Sequence, residues 1–186
     1  DEEIGCLGAP LMIKELGKTL PKPALVVIGE PTSMKVVNAH KGSFAYCTTV
    51  TGLEAHSSAT HKGVSAIQYA AEIIHFINAM ADEFKARAKP GVEFEPPYTT
   101  LSVGIIEGGT AINIISRQCR FHWDVRLMPG GSLDEIEGRL REFIAKDILP
   151  KMRAVEPNAS VSTEKLFGVP GLAPEENSPA EHLALH

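Results

Sequence analysis

One short stretch, residues 52–67, contains a loop with a histidine, two serines, a threonine and a second histidine. It joins an alternating run to a long apolar run, which is typical of a loop between a strand and a helix. Loops held between rigid elements often carry function. His56 could bind a metal or polarise a substrate oxygen. Alternatively, Ser57, Ser58 and Thr60 serve only to cap the helix that follows.

Carboxylates form a second group of potentially reactive residues. Glu30 directly follows the continuously apolar run 24–28, which predicts a strand buried on both faces of a parallel sheet. Ligands bind beyond the carboxyl ends of such strands. Of the adjacent Glu2 and Glu3, one could bind a divalent metal while the other acts as base for a metal-bound water. The alternative is a solvated acidic loop, as charged runs usually are.

The elements that must position these residues can be predicted from periodicity. Alternating runs at 44–51, 101–105, 119–126 and 161–166 predict strands. Apolar residues that recur every three or four positions predict two helices. The first covers about 64–84. The second begins at Leu133, after a Ser132–Glu135 capping box, and ends at Pro150. The order strand, helix, strand, strand, helix, strand predicts an α+β, ferredoxin-like βαββαβ sandwich with both helices on one face of an antiparallel sheet.

The flanking segments predict a divided second domain. Residues 41–167 form the ferredoxin-like unit, and residues 1–40 and 168–186 form part of an α/β domain into which that unit is inserted. The sequence begins with three acidic residues and ends where a helix starts, so we expect it to be a piece of a longer protein.

The 64–84 helix carries two apolar stripes, and one sheet can cover only one of them. Ile73, Phe76 and Met80 make the second stripe and are expected to be exposed. Because an exposed apolar patch marks an interface, we predict a two-fold homodimer built on residues 41–167.

Composition excludes several classes of function. The 186 residues are 44% hydrophobic and 22% charged, with a net charge of −5 and no basic run, so nucleic acid is not an expected partner. No apolar run is long enough to span a bilayer. Three scattered cysteines form neither a disulfide framework nor a C-x-x-C metal site, which indicates a reducing cytoplasm.

Six motifs in order along the chain together resemble the dinuclear-zinc amidohydrolase and exopeptidase family. They are Asp1-Glu2-Glu3-Ile4-Gly5; Gly29-Glu30-Pro31-Thr32-Ser33; Ala39-His40-Lys41-Gly42; His56-Ser57-Ser58 with Gly63-Val64-Ser65-Ala66-Ile67; Gly108-Gly109-Thr110-Ala111-Ile112-Asn113; and Asp124-Val125-Arg126 with Pro129-Gly130. The resemblance covers essentially the whole chain and implies an inserted dimerisation domain and hydrolysis of an N-acyl amino acid or peptide.

The resemblance also implies roles for single residues. Glu2 would be the general base, and Glu3 and Glu30 would each bind one zinc. His56 would stabilise the tetrahedral oxyanion in the partner subunit's site. Asn113 would orient the substrate, and Arg126 would bind its carboxylate, for which a guanidinium is well shaped. The bland alternatives are that Arg126 only pairs with Asp124 on a solvated strand, and that Asn113 only makes a turn.

The family pattern is incomplete in this chain. The family's His-x-Asp motif and bridging aspartate would precede residue 1, and its last histidine ligand would follow residue 186. An intact subunit would hold two zincs, with cobalt as a possible substitute, whereas this chain has two of the expected ligands. We therefore expect the chain alone neither to retain zinc nor to hydrolyse a substrate.

Overall fold

The computed structural model describes residues 6–185 and divides the chain into two compact units. One unit is the continuous segment 39–173, and the other combines residues 1–38 with 174–186. No helix in the described part of the chain is long and apolar enough to cross a membrane.

A four-stranded antiparallel sheet is the centre of the 39–173 unit. Its strands are β1 (Gly42–Thr51), β2 (Thr100–Gly108), β3 (Gln118–Leu127) and β4 (Ser160–Val169), in the spatial order β2-β3-β1-β4. Every second residue of β3 is buried, because successive side chains of a strand point to opposite faces. The ferredoxin-like βαββαβ fold predicted from periodicity is thereby confirmed.

Helices cover one face of this sheet. The first is α2 (Ala66–Ala86), preceded by a 3₁₀ helix at Ser57–Lys62. The second begins with α3 (Leu133–Phe143). The Ser132 hydroxyl accepts a hydrogen bond from the Glu135 amide at 3.1 Å, as predicted for an N-cap serine. It continues through a π-helical turn (Ile144–Ile148) into α4 (Leu149–Arg153).

The prediction that Pro150 ends the second helix is wrong. Pro150 lies in the first turn of α4, where its missing N–H removes no helical hydrogen bond. Its ring would clash with the carbonyl four residues earlier in a regular α-helix. The π turn immediately before it changes the hydrogen-bond spacing there, so the helix continues.

The prediction of a second, exposed stripe on α2 is also wrong. Ile73 and Met80 are fully buried, and Phe76 stacks on Phe143 of α3 with ring centroids 4.2 Å apart. Phe143 of α3 thus covers Phe76, whereas Ile73 and Met80 belong to the single buried face of α2 that also contains Ile77. Exposed apolar side chains lie elsewhere on the unit, among them Ile67 of α2, Ile105 and Ile106 of β2, and Leu166 and Phe167 of β4.

An aromatic pair joins the sheet to the second helix. The Tyr46 and Trp123 rings stack at 4.2 Å, and the Trp123 indole N–H donates to the Thr48 hydroxyl at 3.0 Å. The Tyr46 hydroxyl donates to Glu137 of α3 at 2.7 Å, and burial together with this contact raises the pKa of Tyr46. Each buried polar atom of the pair therefore has a partner, as a dry core requires.

The other unit contains two short helices, α1 (Ala9–Glu15) and α5 (Pro179–Leu185), and no strand among its described residues. The Asn38 amide donates to Glu181 of α5 at 2.9 Å. Residues 24–28 form no strand, and Val26, Val27 and Ile28 are each at least 66% exposed. The prediction of a buried parallel strand is therefore wrong here, because such a strand requires neighbouring strands and helices on both faces.

Candidate active-site loop at one end of the sheet

The pairing of β1 with β3 continues past the ends of both strands and brings His56 and Asn113 together. The last ladder pair is Thr51 with Gln118, after which the Ile115 amide donates to the Ala55 carbonyl at 2.8 Å. The Ser57 amide then donates to the Asn113 carbonyl at 2.9 Å. Two residues 57 positions apart in sequence thus lie on adjacent, hydrogen-bonded backbone segments.

A close backbone approach fixes the base of this loop. Leu53 and Val64 exchange two backbone hydrogen bonds, of 3.0 and 2.9 Å. A Cβ on Gly52 would lie 2.0 Å from the Val64 carbonyl oxygen, so this position has room only for glycine. The loop that carries His56 is therefore tied to the start of α2.

The His56 side chain is the N-cap of the 3₁₀ helix that follows it. Its Nδ1 accepts the Ser58 amide at 3.2 Å and lies 2.8 Å from the Ser58 hydroxyl. The residue is exposed, as are Asn113 and Ser58. The sequence predicted that the Ser58 side chain caps the following helix. Instead the histidine ring is the cap, and Ser58 contacts it through its amide and its hydroxyl. The sequence offered no signal for that contact.

A polar cleft of about 380 Å³ lies beside the end of β2 near this loop. Its charged lining residues are Glu54, Glu107, Arg117 and Arg120, and its floor includes residues 108–110. Carboxylates and guanidinium groups in one small cleft can bind both ends of a zwitterion by charge-assisted hydrogen bonds.

Arg126 lies at the opposite end of the sheet. It pairs with Ser43 at the start of β1 and with Thr100 at the start of β2. Its Nε donates to Asp124 at 3.1 Å, and both side chains are exposed. The surface ion pair with Asp124, which is the alternative to a substrate-binding role for Arg126, is thus present. Such exposed pairs contribute little to stability.

Lys41 is a residue that sequence reasoning did not single out as functional. Its ammonium donates to the carbonyl oxygens of Pro96 and Tyr98, at 2.5 and 2.8 Å. Burial lowers the pKa of Lys41, while the Glu95 carboxylate partly opposes that effect. It therefore fastens the proline-rich loop beside the same end of the sheet as Arg126.

The predicted metal residues do not make up a site within residues 6–185. Glu2 and Glu3 lie outside the described residues. Glu30 is exposed, and no group of three or more His, Cys, Asp or Glu side chains in the described part could hold a metal ion. A zinc site needs about four ligands, so Glu30 does not fit a zinc centre without further donors.

We expect this chain to contain no stoichiometric zinc after dialysis. A lone exposed carboxylate binds divalent ions weakly, because each missing ligand is replaced by water. Elemental analysis of the purified chain measures this directly, with a zinc protein of known metal content as control. Two zincs per chain would contradict the expectation.

Residues 38–152 match the peptidase dimerisation domain family, and the chain belongs to that family. Over 145 residues it is 37% identical to an acetylornithine deacetylase from Proteus mirabilis and 38% identical to one from Salmonella typhimurium. These matches cover 78% of the chain but only 36% and 37% of the relatives, so the chain spans little more than a third of their length.

Solved structures share the fold. A tripeptidase from Staphylococcus aureus superposes with a TM-score of 0.60 at 23% identity, covering 98% of this chain and 43% of that one. A hydantoinase/carbamoylase family amidase from Burkholderia multivorans gives a TM-score of 0.58 at 20% identity, covering 73% and 30%. At these identities the likeness shows the fold of the dimerisation domain.

Proposed function

We propose that this chain is part of a metal-dependent amidohydrolase that cleaves N2-acetyl-L-ornithine to acetate and ornithine in cytoplasmic arginine biosynthesis. The observation that carries the proposal is the 37–38% identity to acetylornithine deacetylases over 145 residues. The family match to a peptidase dimerisation domain supports hydrolysis of an amide in the intact enzyme. We propose the corresponding domain division: the catalytic domain includes residues 1–40 and 168–186, and the dimerisation domain is formed by residues 41–167.

The roles proposed for the described site residues follow from their chemistry. An exposed His56 can donate a hydrogen bond to the oxyanion that forms when the amide carbonyl is attacked. Asn113, on the adjacent backbone segment, can orient the amide. The guanidinium of Arg126 can release the Asp124 carboxylate and bind the substrate carboxylate instead, because the two groups have the same geometry. Glu2 as base and Glu3 and Glu30 as zinc ligands stay proposals that rest on the family resemblance.

These residues can act on one substrate only if two subunits combine. Cys119 and Arg126 are seven residues apart on β3, or about 24 Å at the rise of a strand. His56 and Asn113 lie beyond the Cys119 end. If the β2 edges of two subunits pair antiparallel about a two-fold axis, the His56 end of one subunit lies beside the Arg126 end of its partner.

The surface available for this pairing is the free edge of β2 with its neighbouring apolar side chains. Ile106 pairs with Phe121 and therefore points to the helix-covered face, yet it is 54% exposed. Ile67 of α2 is 40% exposed on the same side, and its Cδ1 lies 3.2 Å from where a Gly109 Cβ would be. An apolar patch beside an unpaired strand edge is suited to an interface between identical chains.

Ile106→Glu is expected to convert a dimer of this chain into a monomer. It would bury a charge in the proposed interface without a partner, which costs several kcal/mol. The matched control is Leu166→Glu on the opposite edge strand, where Leu166 is 50% exposed. Sedimentation equilibrium measures both. Dissociation by Leu166→Glu, but not by Ile106→Glu, would place the interface on β4.

The proposed activity is tested with the intact parent enzyme on a set of N-acyl amino acids. N2-acetylornithine should give the highest kcat/KM, with N-succinyl-diaminopimelate and dipeptides as competitors. A preference for the succinyl substrate would identify a desuccinylase, and one for peptides would identify a dipeptidase, both within the same class of hydrolase.

A second candidate is that this chain is only a dimerisation module. The absence of a metal-binding group of three donors among residues 6–185 favours it. A dimer without turnover, seen by gel filtration and deacetylase assay of the chain, would support this reading. Turnover by the chain alone would exclude it.

A further inference from the structure

We propose that Ser58 positions the His56 ring and holds it in the neutral tautomer that carries its proton on Nε2. The assignment rests on two contacts at one ring nitrogen. The Ser58 backbone amide points at Nδ1 over 3.2 Å, and the Ser58 hydroxyl lies 2.8 Å from the same atom.

The amide contact decides the tautomer. A backbone N–H can only donate, so it requires a lone pair on Nδ1. A proton on Nδ1 would face the Ser58 N–H directly and lose that hydrogen bond. The Ser58 hydroxyl rotates freely and can donate to the same lone pair. The neutral ring therefore carries its proton on Nε2, which has no hydrogen-bond partner within the described residues.

The backbone around Ser58 makes this donor a fixed one. The Ala59 amide donates to the His56 carbonyl at 2.8 Å, which closes the turn that aims the Ser58 amide back at the ring. The Ser57 amide is used elsewhere, on the Asn113 carbonyl at 2.9 Å. The histidine and the asparagine are thus held by two successive amides of one turn.

The catalytic meaning of this tautomer rests on the proposed function. A neutral imidazole with Nδ1 occupied can donate from Nε2 but cannot accept a proton there. That is the form needed to stabilise an oxyanion, and it is unsuited to a general base. Ser58 touches no substrate in this scheme and is a positioning residue.

The tautomer can be measured on this chain without any activity. In ¹⁵N-labelled protein near pH 9, where unperturbed imidazoles are neutral, the two ring nitrogens differ in shift according to which one is protonated. His56 should show a single Nε2–H form. The exposed His61 and His75 serve as internal controls and should show a mixture. A His56 signature equal to that of His61 would overturn the proposal.

Variants at the turn separate the two contacts. Ser58→Pro removes both donors in a first turn that tolerates proline, and it should return His56 to the mixture shown by His61. Ser58→Ala keeps the amide and should preserve most of the Nε2–H form. This variant keeps the test informative if the proline variant fails to fold. Ser57→Ala is the matched control and should leave the His56 shifts unchanged. Equal effects of Ser57→Ala and Ser58→Pro would contradict a specific contact.

Kinetics of the intact enzyme distinguish this proposal from the proposed function. Ser58→Pro should lower kcat roughly tenfold with little change in KM, as expected when an interaction acts only in the transition state. Ser58→Thr, which retains both donors, should restore kcat. A Ser58-dependent tautomer with unchanged kcat would uphold the positioning and refute the proposed role of His56. Loss of kcat without a tautomer change would refute the positioning.

Discussion

Mixing two inactive variants of the intact enzyme, His56→Ala and Glu2→Ala, should restore about a quarter of the wild-type activity. In a two-fold dimer whose sites each combine residues of both chains, random exchange makes half of the dimers mixed. One site of each mixed dimer then has Glu2 and the partner's His56 both intact, while its other site has neither. Each variant alone should show almost no turnover, because every site would lack either the proposed oxyanion donor or the proposed base.

The experiment needs proof that subunits exchange. Differently tagged variants should co-purify after mixing, and the Glu2→Ala variant mixed with wild type provides the reference. No recovery despite proven exchange would mean that His56 acts within its own chain or does not act at all. This result also bears on the fold, because the His56 and Arg126 ends of one sheet are too far apart to share a substrate within a chain.

Gly52→Ala is expected to destabilise the 39–173 unit by about 3 kcal/mol, because overpacking against a rigid neighbour costs 1–3 kcal/mol or more. The added methyl would lie 2.0 Å from the Val64 carbonyl oxygen, and the Val64 backbone cannot easily yield because its carbonyl and its amide are both hydrogen-bonded to Leu53. The Tm should fall by about 10 °C or more. Thermal unfolding followed by circular dichroism measures the change.

Gly138→Ala is the matched control for that substitution. Gly138 lies within α3, and a Cβ there would have no atom within 4 Å. Alanine should therefore stabilise the helix by about 0.5–1 kcal/mol through its helix propensity. Equal destabilisation by both substitutions would show that loss of a flexible residue, and not the contact with Val64, determines the effect.

Periodicity was sufficient to predict the fold of the 39–173 unit because its two central strands, β1 and β3, each have one covered face. The alternation of β1 and β3 and the N-cap at Ser132 follow from local rules and are confirmed, while the Glu135 carboxylate pairs with Arg87. The errors concern partners that local rules do not contain. Phe76 is covered because Phe143 of α3 stacks on it, and burial of residues 24–28 depends on neighbouring strands that the described residues do not supply.

The site could be predicted only as a set of residues. The family resemblance suggested roles for His56, Asn113 and Arg126, and those roles stay predictions. The sequence could not show that the first two share one end of the sheet while the third lies at the other, since that depends on strand register. Nor could it show the Ser58 amide facing the imidazole, a contact set by the dihedral angles of a single turn.

The stacked Tyr46–Trp123 pair also gives the protein its own optical reporter. Trp123 is the single tryptophan of the chain, 2% exposed, and its indole N–H is bonded to Thr48. Its fluorescence therefore reports the sheet of the 39–173 unit without contribution from another indole. Unfolding should shift the emission to longer wavelength as the indole enters water. Dye-free measurements can thus follow the opening of this unit separately from any change in the helices at the chain's two ends.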